Sequence, residues 1–180
     1  MTDGYKISKI YVGSQEVWPP IVSQTFVVSA INTYTNLYKS WYTISKITAE
    51  WTVSFSGSKQ FYLRIHTAQS ESSWMYGYCF DYVNSTHRWE LQYRSWNSYT
   101  NKHIWTNNEL LNTWNTFKIE FTLDSASITL NDTTTPITYD TTESNRVATI
   151  FASWTPYFYT WQYWTLNSWT NTIKVEYAEA

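Results

Sequence analysis

The sequence predicts an all-β chain, an antiparallel sandwich of two sheets with jelly-roll connectivity, on three observations. The apolar period is two almost everywhere. The alternating residues are β-branched or aromatic, with Ser, Thr, Lys and Glu between them. No window holds a 3.6-residue apolar stripe beyond a turn or so, Asn108-Glu109-Leu110-Leu111 being the best candidate helix. Short strands with one buried face need a second sheet to cover that face. About nine to twelve of them exceed an immunoglobulin domain and favour a jelly roll.

Each element follows in chain order. Residues 5–18 read as a small hairpin, with Ile7, Ile10 and Tyr11 on its first arm, a Gly13-Ser14-Gln15 turn, and Val17 and Trp18 on its second. Pro19-Pro20 closes it, fixing two φ angles and removing two ladder donors, so that it reads as a stiff hinge. We therefore divide the chain into an N-terminal arm, 1–20, and a sandwich, 21–180; the same hairpin could instead extend a sandwich edge, since an isolated hairpin is marginal in water. Trp51, Val53 and Phe55 alternate before a Ser56-Gly57-Ser58-Lys59 turn, and Phe61, Leu63 and Ile65 after it, the pattern of a hairpin. Tyr76, Tyr78, Phe80 and Tyr82 pair by pattern with Trp89, Leu91 and Tyr93 across Asn84-Ser85. Phe117, Ile119, Phe121 and Leu123 lead to Ile128 and Leu130, then Ile137 and Tyr139; residues 147–152 read as a continuous apolar strand, and Ile173, Val175 and Tyr177 as the last.

Composition excludes several classes. With 12 Lys+Arg against 14 Asp+Glu and a net charge of -2, the chain lacks the basic clustering of a nucleic-acid binder. One cysteine, Cys79, forms no intramolecular disulfide and no thiol cluster for zinc. No apolar run has a membrane-spanning length and no signal-peptide pattern opens the sequence, which fits synthesis in a cytoplasm. At 180 residues a single core closes without staples.

Catalytic groups are sparse. A sandwich glycosidase needs carboxylates alternating on one strand, but Glu90, Glu120 and Asp81 each stand alone, and His66, His87 and His103 share no ligand spacing. No catalytic residue, cofactor or metal is assigned. Asn131-Asp132 and Asp140 to Glu143 offer oxygens that calcium could use, yet they are also ordinary turn residues.

The unusual feature is aromatic density in stretches that read as loops. Trp96, Tyr99 and Trp105 lie in one; Trp154, Tyr157, Tyr159 and Trp161 lie in a denser one. Rings interleaved with amides and hydroxyls suit a pyranose, whose C–H face stacks on an aromatic plane while its hydroxyl rim is hydrogen-bonded. The same residues suit a protein interface, or a core. Exposed rings in this number favour self-association.

Two stretches carry resemblances. Asn112-Thr113-Trp114-Asn115-Thr116-Phe117 with Ser127-Ile128-Thr129-Leu130-Asn131-Asp132 resembles the laminin-G-like, or concanavalin A-like, sandwich, with 148–152 and 172–177 falling where that family has its last two strands. The Asn131-Asp132-Thr133 turn lacks the family's glycine, and its calcium ligands have no counterparts, so sugar and metal binding do not carry over. Residues 7–19 resemble the short leader of virion proteins of tailed bacteriophages, particularly those infecting gut bacteria. That resemblance implies a protein made in the host cytoplasm and released by lysis, docked by its arm to other virion proteins, and displaying the sandwich to host or mucus glycan or to neighbouring subunits. The alternatives are a glycan hydrolase or lyase using Glu90 or Glu120, and a decoration protein with no ligand.

Overall fold

The computed structural model describes residues 11–12, 15–16, 22–28, 33–54, 60–70, 73–83, 86–95, 98–106, 114–163, 167–168 and 171–179. The strands are β1 (Tyr11–Val12), β2 (Gln15–Glu16), β3 (Val22–Val28), β4 (Thr33–Asn36), β5 (Tyr42–Ser54), β6 (Gln60–His66), β7 (Met75–Val83) and β8 (Thr86–Ser95). They continue with β9 (Ser98–Thr106), β10 (Trp114–Thr122), β11 (Ser125–Leu130) and β12 (Thr133–Thr138), then helix α1 (Thr141–Phe151), β13 (Tyr157–Tyr163), β14 (Asn167–Ser168) and β15 (Asn171–Glu179). One sheet runs β12-β11-β10-β5-β15-β3, with β14 also on β5; the other is six-stranded, β4-β13-β6-β7-β8-β9. Every pairing is antiparallel.

Alternation makes the core. On β10 the pattern is strict, with Asn115, Phe117, Ile119 and Phe121 buried and the residues between them more exposed. Trp51 of β5 stacks on Phe158 of β13 at 5.8 Å and 16°, joining the two inner faces. Truncating either ring to Ala removes roughly 3–5 kcal/mol.

The predicted all-β antiparallel sandwich is the observed architecture, with two local corrections. Residues 147–152, expected as a strand, belong to α1. A short apolar run does not distinguish strand from buried helix by period; the capping box decides. Asp140 Oδ1 accepts from the Glu143 amide at 2.8 Å while Glu143 Oε2 accepts from the Asp140 amide at 2.9 Å. The helix then buries Glu143, Arg146, Val147, Ile150 and Phe151, and Tyr76 donates to Glu143 Oε1 at 3.1 Å. The laminin-G-like strand expected at 148–152 is therefore absent.

The second correction concerns β5 and β6, expected as a hairpin. Both edges of β5 are taken, by β10 and by β15 with β14, so β6 pairs with β13 and β7 in the other sheet. Two strands of identical period carry nothing in that period about which sheet receives them. The β7–β8 and β10–β11 hairpins form as expected. β1 pairs with β2 and, among the described residues, with no other strand. The candidate helix at 108–111 lies outside the described residues.

Candidate functional site

The two outer faces of the sandwich differ in kind. On the sheet containing β10, Glu120 meets Lys46 at 2.8 Å and Lys118 at 3.4 Å, and Lys174 meets Glu176 at 3.1 Å, all part-exposed. Lys46, first by hydrogen bonding, holds the Glu120 carboxyl below its usual range. These are ordinary solvated ion pairs.

The outer face of the six-stranded sheet buries its polar groups. Register sets Arg64, Gly77 and Gln92 side by side on β6, β7 and β8. Arg64 Nη2 reaches across Gly77 to donate to Gln92 Oε1 at 2.7 Å, and Gln92 Nε2 passes the chain on to Glu90 Oε2 at 2.5 Å. Gly77 makes that path possible. A Cβ there would lie 2.4 Å from the Leu63 carbonyl oxygen and 2.6 Å from Arg64 Cα. Arg64, Glu90 and Gln92 are all buried.

Aromatic rings stand over this chain. The Arg64 guanidinium lies 3.7 Å from the Tyr62 ring centroid and 5.7 Å from that of Tyr99. Arg94, opposite Tyr99 in register, donates to its hydroxyl at 2.8 Å. Further along the sheet, Tyr34 stacks on Tyr159 at 4.2 Å and meets Tyr157 edge-on at 6.0 Å. His66 lies edge-on to both Tyr34 and Tyr159. The Ser73 hydroxyl donates to the Ser70 carbonyl at 2.7 Å, so His66 Nδ1–H is assigned as the donor to Ser73 Oγ at 3.1 Å. Burial, with Arg64 adding to it, lowers the His66 pKa to about 3.

The sequence candidates separate here. Tyr99, Tyr157 and Tyr159 gather on this face; Tyr99 is exposed, Tyr157 half-buried and Tyr159 buried. The stretches holding them are strands β13 and β9, not loops, because ladder pairing and cross-strand rings outweigh their polar residues. Trp105 and Trp161 lie in β9 and β13, with side chains outside the described set; Trp96 lies outside it altogether, as do Ile7, Ile10, Val17 and Trp18 of the arm, where Tyr11 is placed only as a strand residue. Glu90 and Glu120 project from opposite outer faces, so they do not flank one bond. Of the candidate calcium oxygens, those of Asp140 and Glu143 cap α1, and Asn131, at φ 50, accepts from the Thr116 amide at 3.0 Å. Asn replaces the expected turn glycine because it tolerates that φ.

Trp154 goes elsewhere. It is 81% exposed in the α1–β13 loop, beside Tyr38 at 6.3 Å between ring centroids, and shares an open groove of about 310 Å³ with Trp41, which is 83% exposed. The Tyr42 amide donates to the Lys39 carbonyl at 3.2 Å, closing a turn whose third residue, Trp41, has φ 69. That position suits glycine, and a bulky residue there costs about 1–3 kcal/mol. Sequence reading missed Arg64, Gly77, Gln92, Tyr34, Tyr38 and Trp41. A glycine inside the Tyr76-Gly77-Tyr78 alternation was the available signal for the first three.

No family model matches the chain, and no curated protein is detectably similar to it. Solved structures match its fold. Sheep galectin-11, in complex with glycerol, aligns with a TM-score of 0.52 at 4% identity over 79% of this chain and 100% of that one. The CBM2 module of the evolved Dit of Lactobacillus casei BL23 phage J-1 aligns with a TM-score of 0.57 at 9% identity over 82% of this chain and 70% of that one. The fold is that of the galectin-like β-sandwiches.

Proposed function

We propose that the protein is a non-enzymatic glycan-binding module whose working surface is the outer face of the six-stranded sheet. One observation carries this: the Arg64–Gln92–Glu90 chain is buried beneath Tyr62 and Tyr99, whereas the described charged pairs of the opposite face are part-exposed. A buried polar chain fixes the attitude of the rings above it. Tyr99 and Tyr157 then offer aromatic planes to the C–H faces of sugar rings, and Arg94 offers guanidinium donors to hydroxyls. Arg64, Gln92 and Glu90 act as positioning residues. The galectin and the phage carbohydrate-binding module among the fold neighbours support the reading by analogy.

We place the module in a phage virion, with arm 1–20 anchoring it to other virion proteins and with self-association covering part of its aromatic surface. The leader resemblance and the self-paired β1–β2 hairpin support this. Deletion of residues 1–20 is expected to release the protein from the particle while leaving a folded sandwich; retention on the particle overturns the anchor. For binding, a glycan array probed with the full chain and with Tyr99→Ala and Tyr157→Ala tests the face. Each loss of a stacking ring is expected to weaken binding about tenfold, equivalent to about 1.4 kcal/mol. An array that the full chain leaves blank overturns the proposal.

A further inference from the structure

We infer a second saccharide site, for a neutral sugar, in the groove between the β4–β5 turn and the α1–β13 loop. It uses none of the residues of the sheet-face site and does not depend on that reading. Three observations point to this ligand class.

The first is Trp41. Its backbone sits at φ 69 in a turn position suited to glycine, yet its ring is 83% exposed. Core packing gains nothing from a ring in solvent, so the strained turn serves to hold an aromatic plane outward. Trp154, 81% exposed, supplies a second plane on the same groove, and Tyr38 a third. The second observation is charge. Beside the rings the groove is edged by Ser40, Thr43 and Ser153, and among the described residues no charged side chain lines it. The nearest described cation, Lys39, sits over the rings of Tyr42, itself a lining residue, and Tyr177, 5.8 Å from each centroid, where the ring faces partner it. A lining of rings and hydroxyls suits an uncharged ligand with both an apolar face and a polar rim, which describes a pyranose. At about 310 Å³ the groove has room for a short saccharide.

The third observation is rigidity. The Leu37 amide donates to the Pro156 carbonyl at 2.8 Å, tying the two walls together. Thr155 Oγ1 and Ser153 Oγ donate to the Thr67 carbonyl at 2.7 and 3.3 Å, anchoring the Trp154 loop to the body. A groove held open in this way binds without a large ordering cost.

The test uses the full chain, a printed array of neutral oligosaccharides, and titration calorimetry of the strongest binder against wild type, Trp41→Gly, Trp154→Ala and Tyr99→Ala. Trp41→Gly is the informative variant, since glycine accepts φ 69 and only an exposed ring is lost. The expected result is at least a tenfold loss of affinity at one site for Trp41→Gly and Trp154→Ala, with an unchanged or higher Tm for Trp41→Gly. Wild-type affinity in both groove variants overturns the inference. So does a lowered Tm in Trp41→Gly, which makes the ring structural, or a shift from oligomer to monomer in light scattering, which makes the groove an interface between copies. Loss in Tyr99→Ala alone upholds the sheet-face site and overturns the groove; loss in the two Trp variants alone does the reverse. No binding of the neutral array by wild type overturns the groove and leaves the sheet-face site to its own, broader array.

Discussion

The two outer faces of this sandwich are built by the same alternation and end in opposite states. On the β10 side, Lys46, Lys118 and Glu120 stand in partial contact with water, where ion pairs contribute little. On the β6–β8 side, Arg64, Glu90, Gln92 and His66 are buried, where a polar group is costly unless partnered. Period two says which residues face outward; it does not say whether outward means wet. The difference comes from what lies above each face, and over the six-stranded sheet Tyr62 and Tyr99 lie above Arg64.

The contrast can be broken most severely at Gly77. A Cβ at 2.4 Å from the Leu63 carbonyl and 2.6 Å from Arg64 Cα meets backbone, so Gly77→Ala forces β6 and β7 apart. Chemical denaturation should show a loss of about 3 kcal/mol or more. Next comes Arg64→Met, which keeps the bulk and removes the donor to Gln92; a loss of about 2–4 kcal/mol is expected, compared with under about 1 kcal/mol for Lys46→Met on the other face. Equal losses would erase the distinction between the faces.

A milder probe is pH. His66 is held near pKa 3 against an ordinary value of 6.5, so between those values the unfolded chain binds a proton that the folded chain refuses. Stability from this source is complete above about pH 6.5 and is lost as pH falls toward 3, about 2 kcal/mol of it between pH 7 and pH 5. Denaturant midpoints at those two pH values should show the loss, and His66→Gln should flatten it. The smallest effect belongs to Glu120, whose lowered pKa places its contribution above the usual carboxylate range and its loss below about pH 4.5. Glu120→Gln should lower the Tm only slightly between pH 5 and 7 and flatten the small further fall below about pH 4.5.

The sandwich was legible in the sequence because strict alternation on Phe117, Ile119 and Phe121 leaves little else for that run to be. Strand partnership was not, since β5 and β6 share a period and go to different sheets. Helix α1 was hidden by its apolar end and by Asp140 and Glu143, which as turn oxygens look like metal ligands and in three dimensions cap each other's backbone. At the candidate site, Tyr99, Tyr157 and Tyr159 were visible as rings among polar residues. Arg64 and Gln92 were not, because they are separated by 28 positions in the chain and meet only through the β6–β7–β8 register. Trp41 was hidden for another reason: a positive φ is a property of the folded turn, and nothing in Lys39-Ser40-Trp41-Tyr42 announces it.

The most direct test of the central claim is amide chemical-shift mapping of the full, isotope-labelled chain titrated with the strongest saccharide from the array. Apart from the Trp41–Trp154 groove, shifts are expected to concentrate on β6, β8, β9 and β13, around Tyr99 and Tyr157, with β10, β11 and β12 silent. Shifts centred on the Lys46–Glu120 face, or a six-stranded sheet that does not respond, would contradict that claim.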